Sequence, residues 1–139
     1  MTIEKEAYVF PMSFAQQRLW FLDQFEPGKS FYNIPANARL SGSLNLEVLN
    51  QSINEIIRRH EILRTTFTMM GGKPVQVIAP ALTVALPQVD LRHFSENEQA
   101  LRIRQFACEE IRRPFHLAEG PLLRGYVLLT GEAEHVLIL

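Results

Sequence analysis

Apolar residues recur along this chain in two rhythms, a helical one at three- and four-residue steps and an alternating one, and the switches between them mark the elements. Ser13 followed by Gln16 is a capping-box pattern: the hydroxyl can accept from the Gln16 amide while the glutamine side chain reaches back to Ser13. A helix is predicted from there, with Ala15, Leu19 and Leu22 on its core face and Trp20, Phe21 and Phe25 beside them, until Pro27-Gly28 stops it. Residues 36–40 alternate as a half-buried strand closed by Ser41-Gly42-Ser43. Behind an Asn45 cap, Leu46, Leu49, Ile53 and Ile56/Ile57 stripe an amphipathic helix. Thr65 to Phe67 opens a strand that turns at Gly71-Gly72 and returns as Val75 to Ile78, a hairpin. The stretch from Pro80 to Pro87 reads as a connection holding a short edge strand. A second capping box, Ser95 with Glu98, starts a helix striped by Ala100, Ile103, Ala107 and Ile111 and ended by Pro114. Two strands, Leu122 to Leu129 and His135 to Leu139, joined by a turn over Thr130 to Glu134, complete the pattern.

That order predicts an α/β or α+β fold, with helices packed on a mixed or mainly antiparallel sheet. A chain of 139 residues can make one domain, burying roughly two-thirds of the surface its unfolded form exposes. The net charge of −1 and dispersed Lys and Arg give no field for phosphate backbones, so nucleic acid is not an expected partner. The single Cys108 excludes an internal disulfide and fits a reducing cytoplasm; on the apolar side of its helix it reads as a small buried hydrophobe. His60, His93, His116 and His135 are too scattered to suggest a metal site. The N-terminus, residues 1–6, has no apolar leader core, and no run nears the ~18 apolar residues that span a bilayer. No membrane is expected, and the location expected is cytoplasmic.

Two segments carry more specific information: Ser13-Phe14-Ala15-Gln16-Gln17-Arg18-Leu19-Trp20 and Arg59-His60-Glu61-Ile62-Leu63-Arg64-Thr65-Thr66-Phe67. They resemble the first and second signature motifs of condensation domains of nonribosomal peptide synthetases. Phe21 to Gly28, Tyr32-Asn33-Ile34-Pro35 and Gly120-Pro121-Leu122-Leu123-Arg124 also resemble family segments, in family order. The resemblance implies a fold of two chloramphenicol acetyltransferase-like lobes, with residues 1–139 as a partial domain, most of the first lobe. It implies amide-bond formation from a carrier-tethered thioester, no directly bound cofactor, and phosphopantetheine borne by partner carrier proteins. The third family motif, His-His-x-x-x-Asp-Gly, is expected just after the strand that ends at Leu139, so no catalytic residue and no metal ligand is assigned here. By resemblance, Arg64, with Arg59 as second choice, braces the active-site loop by pairing with the aspartate of that motif, as a planar guanidinium fork suits.

Ser13, Gln16, Arg18, Trp20, His60 and Glu61 are motif residues with an expected structural role: Ser13 and Gln16 as the cap, His60 at a helix-to-strand transition, and Trp20, with Phe21 and Phe25, as core, the lining of a substrate tunnel being the alternative. Glu109-Glu110 and Arg112-Arg113 read as a solvated helix end. The family reads Pro-Phe-Asp-Leu where this chain has Pro114-Phe115-His116-Leu117, so any contact of that aspartate is not carried over. The competing reading is a non-catalytic binding or assembly piece, one half of a split domain or the product of an interrupted gene, and a coenzyme A-dependent acyltransferase ranks behind both. The run His135 to Leu139 reads as a strand covered on both faces, and self-association through an unpaired edge there is expected.

Overall fold

The computed structural model describes residues 6–139, so the reading of residues 1–5 lies outside the described residues. Along the chain run β1 (Tyr8–Pro11), α1 (Phe14–Phe25), β2 (Asn37–Ser41), α2 (Leu46–Arg59), a 3-10 turn (Glu61–Arg64), β3 (Thr65–Met70) and β4 (Lys73–Ile78). They are followed by β5 (Gln88–Asp90), α3 (Glu96–Arg112), β6 (Tyr126–Leu129) and β7 (Glu134–Ile138). These elements form two compact units. The first takes the described residues up to Lys29, with Asn54–Thr83 and Phe115–Leu123; the second takes Ser30–Ile53, Val84–Pro114 and Arg124–Leu139.

The first unit is built on an antiparallel sheet in the order β1-β4-β3. Its hairpin is the one the sequence predicts: Met70 pairs with Lys73 across Gly71-Gly72, both at positive φ (56° and 75°). A two-residue hairpin loop of that shape suits residues without a Cβ. β1 is an addition to the expected pattern; Tyr8-Val9-Phe10 has strand-forming residues, but its partner β4 is remote in sequence. α1 begins at the predicted capping box, with Ser13 N donating to Gln16 Oε1 at 2.7 Å and Gln16 N donating to Ser13 Oγ at 3.2 Å.

The second unit holds a mixed sheet in the order β2-β7-β6-β5, with β5 parallel to β6 and the other pairs antiparallel. The short edge strand lies just past Pro87 instead of before it. α3 makes the crossover between β5 and β6 and presents Ile103, Phe106 and Ala107 to a core of Leu91, Leu128, Val136 and Ile138. Ala100 and Cys108 are exposed, which corrects their placement on the buried stripe: the inward face follows Gln99, Ile103, Phe106, Ala107 and Ile111. Cys108 lies one residue, and so about 100°, past Ala107 on the helix. β6 starts at Tyr126, not Leu122, because the chain passes between units at Leu123–Arg124.

The expected unpaired C-terminal edge is also corrected. β7 lies inside its sheet, with Ala38 opposite Leu137 on one side and Val127 opposite Leu137 on the other. Ala36 and Leu139 exchange backbone hydrogen bonds of 2.8 and 2.9 Å that continue the ladder. Val136 and Ile138 are buried. The strand reads as apolar because it is central, and both of its edges are taken, by β2 and β6.

Candidate functional site

The motif residues of the first unit fall on α1 and on the 3-10 turn leading into β3. α1 sets Gln16, Gln17, Trp20 and Asp23 half-buried on one side and leaves Arg18, Phe21 and Phe25 exposed. The core reading of Phe21 and Phe25 is therefore corrected; they stack on each other, ring centroids 6.4 Å apart, at the surface. Ala15, Leu19 and Leu22 also face outward instead of into a core. The reason lies outside the helix: Gln16 Nε2 donates to Gln76 Oε1 at 3.2 Å on β4, and Gln17 Nε2 to the Met12 carbonyl at 2.9 Å. Those bonds lie on the inward side of α1.

At the end of α2, Arg58 and Arg59 both grip Glu55, at 2.6 and 2.7 Å. The Arg58 and then the Arg59 hydrogen bond holds the Glu55 carboxyl at about 2, well below the usual carboxylate range. His60 is exposed and its side chain makes no capping bond, while its carbonyl accepts from Leu63 N at 3.1 Å. Thr65, buried, closes the turn by donating its hydroxyl to the Glu61 carbonyl at 2.8 Å.

Arg64 differs from its neighbours. Its side chain is 11% exposed against 66% for Arg59. The guanidinium donates through Nη1 to the Ala79 carbonyl, Ala79 N returns a bond to the Arg64 carbonyl at 3.0 Å, and Nη2 stands 3.5 Å from Glu61 Oε1. Gly120 lies in the same unit. At φ 61° a Cβ there would be 2.9 Å from Thr66 Cγ2, so conformation and space both require glycine. His116 is exposed, and the turn it heads is made by backbone, its carbonyl accepting from Glu119 N and Gly120 N at 3.0 and 3.1 Å.

In the second unit, Asn33 and Arg124, each from a family-like segment, meet at the C-terminus of α3. Arg124 Nη2 donates to the carbonyls of Glu110 and Arg113 at 3.2 and 2.7 Å, and Nη1 to that of Pro114 at 3.1 Å. Asn33 Nδ2 donates to the carbonyls of Ile111 and Arg113 at 2.8 and 2.9 Å. The last carbonyls of a helix lack intrahelical partners and favour a cation, so Asn33 and Arg124 cap that helix end with their side chains. Glu110, its side chain 18% exposed, lies 3.2 Å from Arg124 Nε, which corrects the reading of that acidic pair as wholly solvated. The positions of Asn33 and Arg124 were visible in sequence; their meeting at one helix end was not.

Among the described residues no three of His, Cys, Asp and Glu converge as a metal site. No described helix is long and apolar enough to cross a membrane. The second unit has a cavity of about 380 Å³ beside β7, with Arg39, Glu96 and Glu134 at its wall. Nearby His135 is buried, its Nδ1 without a hydrogen-bond partner among the described residues.

Comparison with known proteins places these features in a family. The condensation domain profile matches residues 6–139. One of the linear gramicidin synthase proteins of Brevibacillus parabrevis is 48% identical over 129 residues, which is 93% of this chain and 2% of that protein. Phosphinothricin tripeptide synthetase PhsC of Streptomyces viridochromogenes is 42% identical over 129 residues, 93% of this chain and 12% of the synthetase. The chain thus spans a small part of the length of these relatives. In solved structures, the starter condensation domain of rhizomide synthetase RzmA superposes with a TM-score of 0.84 at 21% identity, covering 94% of this chain and 31% of that one. The first condensation domain of the CDA synthetase does so with a TM-score of 0.83 at 18% identity, covering 94% and 34%. With both motif segments, the two-sheet architecture and a profile match across all described residues, this chain belongs to the condensation domain family of nonribosomal peptide synthetases.

Proposed function

We propose that this chain supplies most of the first lobe of a cytoplasmic condensation domain acting on two carrier-tethered substrates. In that reaction the amine of the aminoacyl acceptor attacks the thioester carbonyl of the donor. A C–N bond forms, the C–S bond breaks, and the phosphopantetheine thiol of the donor carrier leaves with the proton given up by the amine. The partners are carrier proteins and the rest of the synthetase, and the phosphopantetheine is theirs. The observation that carries this reading is the family match over residues 6–139. It is supported by relatives whose names describe peptide synthases.

Within this reading Arg64 braces the active-site loop. Its burial favours it over the exposed Arg59. A guanidinium carries five N–H donors, and the contacts to Ala79 and Glu61 leave donors for a further carboxylate. Residues 1–139 contain no adjacent His pair, so the chain alone, mixed with loaded donor and acceptor carriers, is expected to give no amide product above background. In a full-length condensation domain built on this chain, Arg64→Ala is expected to lower both activity and stability, the latter by about 3–5 kcal/mol for a buried pair. Arg64→Lys is expected to restore only part, since a point charge does not reproduce a bidentate fork. Full activity with unchanged melting in Arg64→Ala would rule the role out.

A further inference from the structure

α1 carries its aromatic residues on the outside. Phe14, Phe21 and Phe25 follow one another at steps of seven and four residues, which sets them on a single stripe, and they are 91%, 63% and 74% exposed. Leu22 lies beside the stripe and Arg18 within it. With the stripe outward, Gln16 is bonded to Gln76 on β4 and Gln17 to the Met12 carbonyl on the opposite side of the helix. Phenylalanines bury about 150–250 Å² each, so the stripe reaches or exceeds the few hundred Å² that a soluble monomer normally leaves open.

We propose that the Phe14–Phe21–Phe25 stripe is an internal interface of the condensation domain, covered by polypeptide from the remaining part of that fold. The inference rests on family membership. This chain corresponds to 31% and 34% of two solved condensation-domain chains, so about two-thirds of the fold remains available to cover the stripe. Its composition selects a permanent partner over a carrier protein that comes and goes: obligate interfaces are the more apolar, and transient ones are about as polar as ordinary surface. A second copy fits less well, because a two-fold centred on the stripe brings Arg18 towards its own equivalent.

The test fuses residues 1–139 to the part of the gramicidin synthase condensation domain that follows the matched stretch. Melting is compared with and without Phe21→Glu plus Phe25→Glu, in the fusion and in the 139-residue chain. The melting temperature is expected to fall in the fusion and to stay unchanged in the short chain. If the fusion does not fold, co-expression of the two pieces gives the same reading, with association expected to weaken on the order of a hundredfold or more in the double variant. An equal fall in both contexts, no fall in the fusion, or pieces that do not associate overturns the proposal. So does a double variant that loses only binding of a phosphopantetheinylated carrier, or only dimerisation. The readouts are melting and association, so a stable but inactive fusion counts against the proposed reaction and leaves this inference standing.

Discussion

α1 and α3 start alike and end in opposite environments. Each opens on a serine cap with Gln or Glu three residues on, and both boxes close in the structure. α3 then turns Ile103, Phe106 and Ala107 into a core with Leu91, Leu128, Val136 and Ile138. α1 instead turns glutamines inward and leaves Phe14, Phe21 and Phe25 exposed. Where a helix begins is decided by a few neighbouring residues. Which face it buries is decided by what the remote chain offers it, and here β4 offers Gln76.

The largest effect that separates the two regions is expected from truncating apolar side chains. Leu128→Ala, at a position with no exposure, should cost about 2–5 kcal/mol and lower the melting temperature markedly. Phe25→Ala removes a larger side chain, yet in the 139-residue chain it should stay within about 0.5 kcal/mol of wild type. Comparable losses at both positions in denaturant unfolding would break the comparison. Ile138→Lys belongs with Leu128: it should unfold the second unit and not merely alter association, because Ile138 is buried inside the sheet.

A smaller effect tests what the helices share. Ser13→Ala and Ser95→Ala each remove a cap, and each should cost about 0.5–2 kcal/mol by thermal unfolding. Similar losses sharpen the claim that capping is local, whereas a loss confined to Ser95→Ala would tie the cap to core packing. The smallest effect is electrostatic. Glu55 is held at about 2 by Arg58 and Arg59, so its contribution is full above the usual carboxylate value of 4.5 and fades as pH falls through about 2. The pair is exposed, and the contribution is accordingly small. A carbon-detected titration of the Glu55 carboxyl should show the low value, while Glu55→Gln leaves melting at neutral pH almost unchanged.

These contrasts define what could be read from the residues. Both capping boxes, the Asn45 cap and the Gly71-Gly72 hairpin depend on near neighbours, and all are present: Val48 N donates to Asn45 Oδ1 at 3.0 Å, and β3 pairs with β4 in register. β1 and the interior position of β7 escaped because their pairings join distant segments, Tyr8 with Ile78 and Asn37 with Ile138. The same holds for the candidate site. Arg64 stood out through its motif, but its burial and its bond to the Ala79 carbonyl depend on the end of β4. Asn33 and Arg124 lay in family-like segments with nothing local to reveal a helix cap, since each acts on carbonyls contributed by another part of the chain.

Thiol reactivity measures the central contrast directly. In a Cys108→Ser background, which removes the exposed native thiol, Phe21→Cys and Phe106→Cys place single reporters on the outward face of α1 and the core face of α3. The Phe21→Cys protein should react with a maleimide probe about as fast as an unstructured peptide, and the Phe106→Cys protein far more slowly under native conditions. Protection at position 21 equal to that at 106 would contradict the account, for it would mean that α1 buries its aromatic stripe within these 139 residues.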